Sequence, residues 1–265
     1  MAKQKGIIKL EGTIGDITFY KSQDGYLARE KGGVDAARIA NDPAFQRTRE
    51  NGSEFGRAGN AGKVLRTSLR GLLQHASDSR MVSRLTQKMV EVIQADSTNV
   101  RGLRNVIDGE AELLEGFEFN IQGKLRTTLY APFTLTIDRA AGALSVMILG
   151  FIPAQMITAP GGTTHFKIIS AGSEVDFERE SYVSATSETP LMRWDSSLTA
   201  AITLSNAVTP NSTSPLFLAL GVAFYQEVNG VLYSLKNGGF NAPALVKVSG
   251  LWVLMTQVYC SRSGC

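Results

Sequence analysis

The sequence predicts an α+β protein in which an N-terminal β-meander and a helical hairpin precede an antiparallel β-sandwich. Three observations carry that prediction. Apolar residues recur at helical spacing between residues 64 and 93. After residue 116 the period changes from 3.6 to 2. Asn229-Gly230, set between Phe224-Tyr225 and Leu232-Tyr233, is a strong tight-hairpin signal because both residues tolerate positive φ.

The meander is read from three short alternating runs, Ile7 to Leu10, Asp16 to Tyr20 and Tyr26 to Arg29. Asp24-Gly25 supplies the second turn, and Gly12 and Gly15 bracket the first. So few apolar side chains cannot stabilise a sheet alone, so the meander has to dock on something. From Lys31 to Gly62 the pattern loosens. Pro43 after Asp42 suits a short helix over 43–50, and the glycines at 52, 56, 59 and 62 suggest a flexible or closely approached segment.

Val64, Leu65, Leu69, Leu72 and Leu73 form one helical stripe, and Met81, Val82, Leu85, Met89, Val92 and Ile93 a second. Ser77 and Asp78 are cap candidates between them, and Gly71 suggests close helix approach. The polar stretch Ser97 to Gly116 connects the halves, giving domains 1–105 and 106–265.

Candidate strands follow at Phe117–Ile121, Phe133–Asp138, Ala143–Leu149, Thr164–Ile169, Val175–Tyr182, Leu198–Leu204, Leu216–Gln226, Val231–Leu235 and Ala244–Val248. Their even spacing and turn-rich joints are those of a sandwich or barrel. Leu251 to Cys265 reads as a further edge strand, open to pairing between molecules.

Apolar residues at 43% and charged residues at 19% exclude a disordered chain. The net charge of +3 hides an asymmetry: residues 1–105 carry 18 Lys and Arg against 11 Asp and Glu, while residues 106–265 carry 9 against 13. The halves are therefore +7 and −4, suited to a nucleic acid, an acidic neighbour or the opposite half of another copy, or else a solvated surface. Two cysteines, Cys260 and Cys265, make no disulfide framework. The start lacks a signal-peptide core and no run is long enough for a membrane span, so the expected location is the cytoplasm on synthesis, with a virion or extracellular assembly as a later destination.

Catalytic constellations are not expected. His75 falls at a helix end and His165 in a strand, neither beside a nucleophile elbow. Neither histidine has a second metal ligand at helical spacing. Glu174, Asp176, Glu178 and Glu180 alternate, so a strand there would show four carboxylates on one face, either a Ca²⁺ collector or a solvated face. Arg57 to Lys63 is glycine-rich before a helix, but Arg57 stands at the first glycine of a phosphate loop and Val64 at its Ser/Thr. Lys63, Arg66 and Arg70 share one helix side, and Arg80, Arg84 and Lys88 another, either solvated or able to neutralise phosphates. No cofactor is expected. Trp194 and Trp252 form no aromatic platform for a sugar.

Gly12-Thr-Ile-Gly15-Asp-Ile-Thr-Phe-Tyr20, Arg29 and Phe45-Gln-Arg-Thr-Arg49 together resemble the opening of uncharacterised Bacteroidota proteins. The Phe224–Tyr233 hairpin and Asn237-Gly-Gly-Phe-Asn241 resemble their C-terminal part. The resemblance implies a small-β start, a helical middle and a sandwich end, and no activity or site residues.

The expectation is a non-enzymatic, self-assembling structural subunit of a virion or an extracellular filament, joined by strand pairing and charge-complementary contacts between copies. Ile7, Ile17, Phe19, Tyr20 and Tyr26 are its assembly residues, on a donated strand within residues 6–20. The alternative is a non-catalytic binder of nucleic acid or another anionic partner through Lys63, Arg66, Arg70, Arg80, Arg84 and Lys88.

Overall fold

The computed structural model describes residues 1–30, 33–74, 76 and 78–250. It is an α+β fold whose compact units divide between Glu50 and Asn51.

The first unit holds a four-stranded antiparallel sheet, β1 (Ala2–Lys3), β2 (Gly12–Ile14), β3 (Ile17–Ser22) and β4 (Gly25–Glu30), in the order β1-β4-β3-β2. Strands β3 and β4 match the second and third strands of the expected meander, and β2 occupies residues expected to form its first turn. The turn into β4 is the two-residue loop Gln23-Asp24, with Gly25 taking the positive φ of 104°. The expected strand Ile7–Leu10 is a correction, because those residues lie in the loop between β1 and β2. The cause is Gln4: its side-chain amide donates to the carbonyl oxygens of Leu10 (3.2 Å) and Leu27 (3.0 Å), and its Oε1 accepts from Leu10 N (2.9 Å). Those bonds take backbone groups that a strand would have given to a ladder. After the sheet, Asp35 caps α1 (Ala36–Asn41) and Asp42 caps a 3₁₀ turn at Pro43–Phe45.

In place of the loose segment expected up to Gly62, the chain runs through α2 (Gln46–Ser68), a helix of 23 residues. Its buried positions are Glu54, Ala58, Ala61, Gly62, Val64, Leu65 and Ser68, a stripe of mostly small residues that carries little hydrophobic signal. Gly52, Gly56 and Gly59 lie away from that stripe, with no atom within 4 Å of where a Cβ would sit and no positive φ. They are therefore helix weakeners without a packing role. Gly52→Ala, Gly56→Ala and Gly59→Ala should each raise stability by about 0.5–1 kcal/mol. Urea titration of the three variants checks this, and a loss of stability would mean that the outer face of α2 is in contact with another molecule.

Helices α3 (Arg70–Leu73) and α4 (Met81–Gln94) complete the helical layer. Leu85 and Met89 of α4 lie against Gly62 of α2, as in the expected helical hairpin. Gly71 is close to a strand rather than to a helix: a Cβ there would stand 2.7 Å from Thr186 Oγ1. Ser77, the other cap candidate, lies outside the described residues.

The remaining elements are β5 (Phe133–Asp138), β6 (Ala143–Ile148), α5 (Pro153–Met156), β7 (His165–Asp176), β8 (Ser181–Glu188), β9 (Met192–Arg193), β10 (Ile202–Ala207), β11 (Leu216–Val228), β12 (Val231–Ser234) and β13 (Ala242–Ser249). One sheet has the order β10-β6-β5. The other runs β12-β11-β7-β8, with β13 also on β11 and β9 also on β7. Phe117–Ile121 contributes a single bridge, Glu118 to Ala244, rather than a strand. The expected strand at the chain's end, Leu251 to Cys265, lies outside the described residues.

Strand β11 explains how the layers stack. Leu216, Leu218, Leu220, Val222 and Phe224 join the core shared with the smaller sheet, alongside Leu144, Val146 and Ile148. Phe217, Ala219 and Ala223 join the core shared with the helices, alongside Leu65, Leu69, Leu85 and Met89. Because side chains alternate along a strand, one strand feeds two cores and reads as a continuous apolar run. Between the sheets Gly172 sets the spacing, since a Cβ there would come within 2.7 Å of the Cβ of Asn206. The buried Asn206 amide donates to Ser170 Oγ (2.7 Å), and its Oδ1 accepts from Ser187 Oγ (3.1 Å).

Candidate assembly surface

Among the described residues 1–50 none is buried. The sheet of that unit therefore lacks a core of its own. Its register sorts the side chains: Ile14 faces Ile17, Phe19 faces Ala28, and Lys21 faces Tyr26 across the strands. Ile14, Ile17, Phe19, Tyr26 and Ala28 thus share one face, with Lys21 and Glu30 at its margins. Tyr20, Leu27, Thr18 and Arg29 occupy the other, where Tyr20 donates to Met1 Sδ (2.8 Å) and the Arg29 guanidinium lies 5.6 Å from its ring centre. Of the five expected assembly residues, then, Ile17, Phe19 and Tyr26 stand together, Tyr20 is opposite, and Ile7 is off the sheet.

Ile7 and Ile8 occupy the tip of the loop between β1 and β2, at 102% and 81% exposure. Lys5 and Lys9 flank them in sequence, and Lys9 Nζ donates to Gln4 O (2.6 Å) at the base of the loop. The two adjacent isoleucines present a small contiguous apolar patch to solvent.

The second unit contains a cavity of about 310 Å³ beside β13, walled by Leu125, Leu129, Phe133, Ala244 and Val246 and bordered by Glu115, Glu118 and Arg126. The Glu118 carboxylate accepts from the amides of Leu125 (2.8 Å) and Arg126 (3.3 Å), and Glu115 accepts from Val248 N (3.3 Å). Both carboxylates are thereby oriented at the cavity's border.

The basic residues of the helices have diverse surroundings. Lys63, Arg70 and Arg80 are exposed, and Lys88 pairs with Glu91. Arg66 is half-buried. Arg84 is engaged internally: it pairs with Asp78, donates to the carbonyl oxygens of Glu118 (2.7 Å) and Phe119 (3.2 Å), and lies 5.3 Å from the Phe117 ring centre. Burial would raise the Asp78 carboxyl, but bonds from Arg80 N, the Arg84 side chain and Ile121 N outweigh it and hold it below its ordinary value.

The expected acidic strand face is corrected. Glu174 and Asp176 end β7, whereas Glu178 and Glu180 belong to the turn between β7 and β8, where Glu180 has φ 52°. The physical reason is Asp176, whose Oδ1 accepts from Glu178 N and Arg179 N (both 3.0 Å) and ends the strand with an Asx turn. Glu174 accepts from Ser212 Oγ (2.6 Å), and Glu180 from Asn60 Nδ2 (2.6 Å). Among the described residues no three His, Cys, Asp or Glu side chains converge as a metal site. Arg57 to Lys63 lies inside α2, where Arg57 donates to the carbonyl oxygens of Gly102 (2.7 Å) and Arg104 (2.9 Å). His165 Nδ1 contacts Thr164 Oγ1 (3.0 Å) and is 3.9 Å from Glu227. His75, Trp252, Cys260 and Cys265 lie outside the described residues. No described helix is long and apolar enough to cross a membrane.

Three polar anchors of the second unit carry no sequence motif. Glu54 is 2% exposed and grips Arg104 through both oxygens (2.7 and 2.8 Å) while accepting from Gly102 N (2.8 Å). Burial would raise the Asp96 carboxyl, but bonds from Asn99, Asn105 and Thr98 hold it below its ordinary value. Arg139 donates to the carbonyl oxygens of Ser212, Ser214, Ser249 and Gly250 and to Ser249 Oγ, at 2.7–3.0 Å. Burial pushes its pKa below the ordinary value, against the raising effect of Glu174 and Glu112.

No family model matches the chain, and neither does any curated protein. A solved chain described under pH-induced modulation of Streptococcus parasanguinis adhesion by Fap1 fimbriae is 12% identical over 45% of this chain and 80% of its own length, with a TM-score of 0.22. At that score the likeness carries no statement about fold or role.

Proposed function

We propose that this chain is a self-assembling structural subunit whose N-terminal unit docks on a second copy. The observation that supports this reading is the absence of any buried residue among the described residues 1–50, although Ile14, Ile17, Phe19, Tyr26 and Ala28 share one sheet face. A small sheet without a core is marginal in water and gains its stability from whatever covers it. Residues 1–50 carry nine Lys and Arg against seven Asp and Glu, a net charge of +2, and residues 106–265 carry −4, opposite signs that suit a second copy as that cover, in head-to-tail contact. Virion shells and extracellular filaments are the two destinations suited to such a subunit.

Light scattering and negative-stain microscopy across concentration and salt test the proposal. The full chain should form regular particles or filaments, whose symmetry separates shell from filament. Deleting residues 1–30 should abolish them while circular dichroism keeps the strand signal of the second unit. Undiminished assembly of the deletion variant would overturn the reading.

A further inference from the structure

Resting on that assembly reading, we infer that the Ile7-Ile8 loop of one copy inserts into the cavity beside β13 of the next. The loop is a preformed knob. Gln4 closes its base through reciprocal bonds to Leu10, and both isoleucine side chains project into solvent. Little ordering is then needed on binding, which is where association loses most of its free energy.

The cavity is a matching receptor in size, polarity and charge. Its volume is about 310 Å³, it is open to solvent on one side, and Leu125, Leu129, Phe133 and Val246 give it apolar walls. Glu115 and Glu118 stand at its border where Lys5 and Lys9 flank the knob, with Arg126 the one basic side chain among the described residues that line it. Both carboxylates are already fixed by backbone amides, so they present charge without losing side-chain freedom.

Knob and cavity are different patches of the chain. Such a contact is heterologous, so a docked pair leaves one knob and one cavity open, and the rotation between copies decides whether they close into a ring or extend a filament. Until a ring closes, growth continues from both ends. Salt should weaken the contact without removing it, because the lysine–carboxylate attraction is screened and the apolar insertion is not.

The test is a complementation experiment with the full-length chain. A knob variant carries Ile7→Ser with Ile8→Ser, at positions too exposed to affect folding. A cavity variant carries Val246→Trp, which fills the space. Each alone should associate about 100-fold more weakly than the unmodified chain and stay monomeric in light scattering. Mixed in equal amounts, they should form dimers and nothing larger, because one intact knob meets one intact cavity.

If Val246→Trp does not fold, Glu115→Lys replaces it at an exposed site, and Lys5→Glu with Lys9→Glu should restore its assembly. A knob variant that assembles like the unmodified chain overturns the inference while leaving the assembly reading in place. So does a mixture that remains monomeric when each variant alone is monomeric. An unmodified chain that never assembles overturns both.

Discussion

Arg139→Met is expected to lower the stability of the second unit by about 3 kcal/mol, the scale for removing a charged donor whose acceptors are part-buried. The Arg139 side chain gathers three separate stretches of chain: its own position at the end of β5, the loop residues Ser212 and Ser214 before β11, and Ser249 with Gly250 at the end of β13. The acceptors that it bonds among the described residues are neutral oxygens. Truncation leaves four carbonyl groups competing for water in a confined place.

The planar fork is what allows one side chain to serve all of them, so Arg139→Lys should recover less than half of the loss. Denaturant titration reads the difference as a shifted midpoint at unchanged slope. Hydrogen exchange adds a local readout, with amides near Ser214 and Ser249 exchanging faster in the variant. A midpoint within the error of the unmodified chain would mean that water replaces the guanidinium without loss.

Nothing in the residues around Arg139 announces that role. The stretch Arg139 to Gly142 has the composition of an ordinary hairpin turn, and the two acceptor stretches are separated from it by more than seventy positions in sequence. Local pattern reports which side chains alternate between faces, and so the strands Phe133–Asp138 and Ala143–Ile148 were legible almost to the residue. A contact between distant loops leaves no period to read.

The errors elsewhere have local origins. Helix α2 hid because its buried stripe is built from Ala58, Ala61 and Gly62, whose small side chains carry no apolar signal and fit beneath Leu85 and Met89 of α4. The run from Glu174 to Glu180 alternates as a strand does, yet the Asp176 carboxylate turns the chain after two of its four acids. Ile7 to Leu10 alternates as well, and there the Gln4 amide captures the backbone. In these last two cases one polar side chain bonding to nearby backbone overrode the periodicity. The apolar face of the N-terminal sheet, by contrast, was legible from Ile17, Phe19 and Tyr26 once the hairpin turns were placed. The cavity beside β13 was not, because Leu125, Phe133 and Val246 meet only in the folded chain.

Glu54→Ala is expected to destabilise the second unit by about 3 kcal/mol near neutral pH, because it strands the Arg104 guanidinium beside a buried gap in α2. The pH dependence separates this from a simple packing loss. The Arg104 bonds hold the Glu54 carboxyl below its ordinary value, ahead of the opposing effect of burial. An unfolded glutamate titrates near about 4.3. Between that value and the lower folded pKa, the unfolded chain takes up a proton that the folded chain does not, so stability falls as pH falls. The contribution of Glu54 is therefore complete above about pH 5 and disappears as pH drops through its folded pKa.

Urea titrations of the unmodified chain and of Glu54→Ala should give a constant difference from neutral pH down to about 5, then a shrinking one below about 4. Asp96 and Asp78 are held below their ordinary values too, so the variant itself should keep a share of acid sensitivity. Salt should change the difference little, since the pair is shielded from solvent by the helix and by the loop carrying Gly102. A difference that persists in full at pH 3 would assign the effect of Glu54 to its shape in α2 rather than to its charge.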